Sequence, residues 1–203
     1  MSIKKTLVCA AIAASAFAAQ AQNLVVNGSF EDNSITAGHW ITVPSALGWT
    51  GTPNIEIRNS IAGNAQQGSN FVELDTSGNS GMFQNVAASA GWYQLSFWYS
   101  AREGVAAGSN GLNFTFGNLS GSVLANVAGA ASGNVWQQYT ANVLLSGGTT
   151  SLIFNAIGAS DSLGGSLDNV SVTAVPEPET YAMMLAGLAL MGTIARRRKN
   201  KAA

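Results

Sequence analysis

The sequence predicts an all-β fold, a jelly-roll β-sandwich, on three observations. Gly, Ser, Asn and Thr recur every eight to twelve residues, the spacing of turns in a sandwich. The segments between them alternate apolar and polar with the period of a strand. No helical periodicity of useful length appears between the two ends of the chain. Strands that alternate in this way suit antiparallel sheets, because parallel strands covered on both sides are apolar throughout.

The elements follow in order. Asn23–Glu31 reads as a short strand and a turn. Trp40-Ile41-Thr42, Gly48-Trp49-Thr50 and Asn54-Ile55-Glu56-Ile57 are short strand candidates, with Pro44 and Pro53 keeping them apart. Asn70–Asp75 and Gly81–Val86 flank a Ser-Gly-Asn turn. The clearest strand is Trp92–Ala101. Tyr93, Leu95, Phe97 and Tyr99 fall on one face, and Trp92, Gln94, Ser96, Trp98 and Ser100 on the other. Leu112, Phe114 and Phe116 alternate with Asn113 and Thr115; Val135, Tyr139, Ala141 and Val143 share a parity; Leu152, Phe154 and Ala156 repeat the pattern. Leu167–Val172 closes the domain.

The ends differ from this middle. Residues 1–21 carry Lys4 and Lys5, an apolar run through Phe17, and Ala19-Gln20-Ala21, the layout of a signal peptide cleaved after Ala21. The single cysteine, Cys9, leaves with it, so neither a disulfide nor a thiolate metal site is available to the domain at 22–174. The net charge of −1 misleads, because the basic residues sit at the two ends. Between Gln22 and Val175 two arginines, Arg58 and Arg102, face eight carboxylates, a net charge of about −6. That domain lacks the basic footprint that nucleic-acid binding requires.

The tail, residues 175–203, has three parts. Pro176-Glu177-Pro178 breaks any preceding helix. An uncharged run of fifteen residues from Tyr181 to Ala195 follows; as a helix it spans roughly 22 Å, against the ~30 Å of a hydrocarbon core. Arg196-Arg197-Arg198-Lys199 then supplies a basic stop on the cytoplasmic side. With no polar face in the run, a single transmembrane helix over about 179–195 is expected; a soluble core helix is the alternative. The order of these parts resembles the PEP-CTERM sorting signal of Gram-negative bacteria. The segment is also known as an ice-binding-protein C-terminal domain, a label that does not imply ice binding. The resemblance implies processing by an exosortase near Pro-Glu-Pro and release to the cell surface or extracellular polymeric matrix.

Three stretches carry a second resemblance: Asn23–Glu31; Gly68–Asp75 with Tyr93–Phe97; and Phe154–Gly158 with Asp161–Val172. Together they resemble the galactose-binding-like jelly rolls of carbohydrate-binding modules. They are most similar to a family of uncharacterised plant cell-wall proteins whose bacterial relatives carry this same tail. In such jelly rolls the opening Glu and closing Asp often meet beside a structural calcium ion, which implies a calcium site at Glu31 and Asp168. The pairing of two hydrogen-bonded turn carboxylates without metal is the alternative.

Chemistry-bearing residues are sparse. His39 is the only histidine and has no nucleophile motif around it, so no Ser-His-acid triad or multi-histidine zinc site is expected. Glu73 and Asp75 share a strand face, a poor match to the paired carboxylates of a glycosidase; solvent-facing or turn-bonding roles are expected. Arg102-Glu103 reads as a solvated turn. All five tryptophans lie in the domain, and an indole can stack on a sugar ring while its N–H bonds a hydroxyl. Trp98, Trp136 and Trp49 are therefore the candidate ligand-binding residues, with core or rim packing as the alternative for each. The expected protein is a non-enzymatic, exported envelope or matrix protein with a polysaccharide ligand. A structural or adhesive protein that binds proteins or itself is the first rival, and a polysaccharide-acting enzyme the second.

Overall fold

The computed structural model describes residues 22–176, 185–194 and 197. Asn23–Ala174 forms a compact unit, and residues 185–194 of the tail are helical. The expected signal peptide, Glu177 and Pro178 of the sorting motif, and Arg196, Arg198 and Lys199 of the basic stop lie outside the described residues. Arg197 is helical and exposed. Among the described residues no helix is long and apolar enough to cross a membrane.

The domain contains eight strands: β1 (His39–Ala46), β2 (Trp49–Asn59), β3 (Asn70–Glu73), β4 (Gly81–Ser100), β5 (Gly111–Phe116), β6 (Leu119–Val123), β7 (Gln137–Ile157) and β8 (Ser166–Ala174). Every pairing is antiparallel, as the alternation requires, in the order β1-β2-β3-β8-β4-β7-β5-β6. The far half of β4 pairs with β8 over Tyr93–Ser100, while its near end pairs with β2 over Gly81–Phe83. The sheet thus folds back on itself and encloses the core of a jelly-roll sandwich. One layer is built around β3, β8 and the second half of β4; the other is built around β5, β6 and the first half of β4.

β4 and β7 serve both layers, and their side chains record the passage. In β4 Met82 and Val86 are buried, then Tyr93, Leu95 and Phe97; in β7 Val143 and Leu145 are buried, then Leu152 and Phe154. The inward parity reverses in both strands although their mutual register does not slip. At the reversal Gly147 and Gly148 take φ of +89° and +91°, which only glycine adopts without strain, so the ribbon turns there from one layer to the other.

Several strand expectations are corrected. Trp49-Thr50 and Asn54–Ile57 belong to one strand, β2, running through Pro53, with Gly48 in the turn before it; Pro44 lies inside β1, at its register shift. Proline is tolerated at both places because the ladder is already irregular there. Gly81–Val86 and Trp92–Ser100 are likewise parts of one strand, β4. Val135 precedes β7 and is exposed. Asn23–Phe30 contains the expected turn, at Val26–Ser29, but no strand. It still docks by backbone bonds: Leu24 N–H donates to Val172 O (2.9 Å), and Val170 N–H to Gly28 O (2.8 Å). Gln84 in β4 clasps Val26 from the other layer, its Oε1 accepting the Val26 N–H (2.7 Å) and its Nε2 donating to the Val26 carbonyl (2.9 Å).

The core is largely aromatic. Phe97 stacks on Tyr139 at 4.9 Å and meets Phe114 and Phe154 edge-on at 5.1 and 5.2 Å, arrangements favoured by the ring quadrupole. Trp49 lies among Phe30 and Phe154, is 1% exposed, and donates its Nε1–H to Asn27 O (3.1 Å). A buried, hydrogen-bonded indole has no face left for a ligand. Trp49 is a core residue, and the expectation that it binds ligand is corrected.

Candidate functional site

The outward face of the β3-containing layer is not a plain solvated surface. Alternation sends Ile55, Ile57 and Val72 into the core and Glu56, Arg58, Phe71 and Glu73 outward, yet all four outward residues are buried. Register sets them in cross-strand rows: Trp40 opposite Arg58 and Arg58 opposite Phe71; Glu56 opposite Glu73 and Glu73 opposite Ser166. Loops following β2, β4 and β7 cover these rows.

Three charged side chains lock together there. Arg58 donates its Nε–H to Glu56 Oε1 and an Nη2–H to Glu73 Oε2, both at 2.7 Å. Arg102 approaches Glu73 at 3.8 Å and donates from Nη1 to the Ser162 carbonyl at 2.9 Å. Glu73 is 0% exposed and also accepts N–H bonds from Gly164 (2.7 Å) and Asp75 (2.9 Å). Burial pushes its carboxyl up to about 7 although Arg58 and the two backbone donors favour the charged form. Burial, and then the nearby Arg58, lower the pKa of Arg102 from its ordinary value. The Nη1 of Arg58 is buried with no hydrogen-bond partner. Beside this cluster opens a cavity of about 260 Å³ walled by Trp40, Glu56, Arg58, Thr76, Arg102 and Ser162. Trp40, 54% exposed, is the aromatic member of that wall.

Asp75 is equally enclosed. Its Oδ2 accepts the N–H groups of Asp161 (2.9 Å) and Leu163 (3.3 Å). Glu73 and Asp75 therefore bind turns, as one of the two expected roles had it, and neither faces solvent. Asp161 accepts from Ser109 Oγ at 2.7 Å, a bond that lowers its pKa. His39 is an exposed residue at the start of β1.

Glu31 and Asp168 converge on one loop. Glu31 Oε1 accepts the N–H groups of Ser69 (2.9 Å) and Asn70 (2.7 Å); Asp168 Oδ2 accepts those of Gln66 (2.8 Å) and Gln67 (2.9 Å). Burial pushes the Asp168 carboxyl up to about 7 against those donors, with a smaller push from the Glu31 charge. Gly68, at φ +67°, lies against Glu31 so closely that a Cβ there would overlap the carboxylate. Among the described residues no group of three or more His, Cys, Asp or Glu gathers as a metal cluster.

The other two candidate tryptophans sit apart from the cavity lining. Trp136 is half-buried, packs edge-on over Phe71 at 6.0 Å and donates its Nε1–H to Asn64 O (3.0 Å), so it roofs the covered row. Trp98 is half-buried, opposite Gln138 of β7 and Asp168 of β8. Sequence reasoning passed over Trp40 and Arg58, and took Arg102 for a solvated turn. The available signal was that Arg58 and Arg102 are the only cations between Gln22 and Val175, and that Glu56 and Arg58 share a strand face.

Comparison with known proteins bears on both parts of the chain. The domain is 30% identical over 159 residues to a multifunctional-autoprocessing repeats-in-toxin protein of Vibrio vulnificus, covering 74% of this chain and 3% of the relative. The protein of the same name from Vibrio cholerae serotype O1 is 29% identical over 172 residues, again 3% of its length. The chain thus spans a small fraction of these curated relatives. Among solved structures, TmCBM61 in complex with beta-1,4-galactotriose superposes with a TM-score of 0.50 at 17% identity, covering 76% of this chain and 99% of that one. The domain therefore resembles the jelly-roll fold of a carbohydrate-binding module. Residues 174–199 match the PEP-CTERM protein-sorting motif, and the chain is a β-sandwich that ends in that sorting signal.

Proposed function

We propose that this is an exported envelope or extracellular-matrix protein, sorted through an exosortase and the membrane by its PEP-CTERM tail, whose jelly roll binds polysaccharide without catalysis. The observation that carries the binding role is the cavity: an exposed indole, Trp40, set beside a fixed polar wall of Arg58, Arg102 and Glu56. An aromatic face with a few oriented polar groups is what a sugar ring needs. The absence of catalysis is supported by the burial of Glu73 and Asp75: Glu73 Oε1 and Asp75 Oδ2 accept backbone N–H groups, Glu73 Oε2 is held by Arg58, and neither carboxyl is exposed. A polysaccharide pull-down and glycan array with residues 22–175, including the host's own polymers, tests it. Retention that weakens at least tenfold in Trp40→Ala is expected; no retention on any polymer overturns it.

A structural calcium ion at Glu31 and Asp168 belongs to this proposal. Their carboxylates are hard oxygen ligands gathered on one loop, and backbone carbonyls or water would complete the shell. The melting temperature of the domain is expected to rise with calcium and fall with chelator, and an unchanged melt in excess chelator overturns the site.

A second reading, self-association or adhesion to proteins, is favoured by Trp92 and Leu144, which face each other across β4 and β7 at 47% and 53% exposure. Concentration-dependent assembly that sugars do not compete would support it, and a monomer at all concentrations would exclude self-association.

A further inference from the structure

We propose that the cavity beside Trp40 takes a carboxylate-bearing sugar, a hexuronate unit of an acidic polysaccharide, with its ring on the Trp40 indole and its carboxylate on Arg102 and Arg58. The inference deepens the carbohydrate-binding reading above and rests on it.

Charge placement carries the argument. The domain is acidic, yet the only two cations between Gln22 and Val175 both wall this one cavity. Arg58 is matched by Glu56 and Glu73 at 2.7 Å. Arg102 is not matched in the same way: its closest carboxylate is 3.8 Å away and already bonded to Arg58, and its one side-chain hydrogen bond goes to a neutral carbonyl. Glu103, next along the chain, is turned to the Gly133 N–H instead. Arg102 is therefore the under-neutralised cation of the domain, and 19% of its side chain is exposed. A guanidinium offers its donors as a planar fork that fits a carboxylate. Arg58 stands in the same wall, and its buried Nη1 has no hydrogen-bond partner.

Size and field narrow the ligand. At about 260 Å³ the cavity lies just below the ~300–1,000 Å³ of drug-sized pockets, which suits one ring in place of a long oligosaccharide. The net negative charge of the domain repels a polyanion at long range, but that field is screened over about 8 Å at physiological salt, whereas a contact pair is not. Selectivity for a uronate therefore comes from the contact with Arg102 and not from overall attraction.

The test uses the Asn23–Ala174 unit, which holds the complete hydrophobic core, and calorimetry with matched trisaccharides: galacturonate against galactose, and mannuronate against mannose. At least one acidic trisaccharide is expected to bind tenfold or more tightly than its neutral counterpart. Arg102→Gln is expected to abolish that preference, and Trp40→Ala to weaken binding tenfold. Arg102 is partly exposed, so its replacement spares the buried Arg58–Glu73 pair; an unchanged circular dichroism melt verifies the fold. Equal binding of acidic and neutral sugars, both weakened by Trp40→Ala, overturns the uronate inference and leaves the carbohydrate reading standing. Uronate binding that neither variant alters overturns the site. No binding to any glycan, including the pull-down polymers, overturns both.

Discussion

Replacing Glu73 with glutamine isolates what the charge cluster does to stability. The Glu73 carboxyl sits at about 7 in the fold against an ordinary 4.5. A carboxyl raised by folding binds its proton more tightly in the native state, so its stabilising contribution is complete below the unfolded value and is lost as pH rises through the folded one. Between pH 5 and pH 8 the wild-type domain is therefore expected to lose on the order of 2–3 kcal/mol through this residue alone. Glutamine cannot titrate. It also sets an amide NH₂ against the Arg58 guanidinium, which costs a constant amount at every pH. The offset between the two proteins is thus uninformative and the slope is decisive. Urea unfolding of residues 22–175 at pH 5, 6, 7 and 8 measures it. Glu73→Gln should flatten the fall of unfolding free energy with pH by roughly 2–3 kcal/mol relative to wild type. Parallel pH profiles for the two proteins would refute the raised carboxyl, and with it the balance between burial and pairing argued for the cluster.

Three further outcomes are expected. Trp49→Ala should destabilise the domain by about 3–5 kcal/mol in denaturant titration, because it empties a closed aromatic site and removes the indole hydrogen bond to the Asn27 carbonyl. Gly28→Ala should destabilise by 1 kcal/mol or more (on the order of the cost of overpacking), since a Cβ there overlaps the Val170 carbonyl oxygen and breaks the seam between the opening segment and β8. Deleting residues 176–203 should leave the melting temperature of the domain within about 1 °C of the full chain, because Asn23–Ala174 is a compact unit with its own core; a large drop would contradict its independence.

The fold was legible where strand periodicity is undisturbed. Trp92–Ser100 alternates cleanly, and its Tyr93, Leu95 and Phe97 are buried as the parity requires. Legibility failed where the ladder bends. Pro44 and Pro53 look like breaks but lie within strands at irregular pairings, and the reversal of inward parity at Gly147 and Gly148 made β7 look like two strands. The site was harder still. Glu56 and Arg58 occupy the polar positions of an alternating strand, which normally means solvent. Their burial depends on loops that arrive from around residues 100 and 160, and no local pattern announces a tertiary cover. Trp49 failed for the complementary reason: periodicity does not tell an inward indole from an outward one when its strand is broken by turns.

The two ends of β8 have different neighbours. At Ala174, opposite Tyr93, the chain passes into the sorting segment; at Ser166, it lies opposite both the buried Glu73 and Ser100. Nine residues of strand separate them, about 26 Å of nearly inextensible backbone. Where the sorting segment serves as a tether, a load entering at Ala174 runs lengthwise along β8 before it reaches the positions opposite Glu73. Tension on the tether loads a strand that is hydrogen-bonded along both edges.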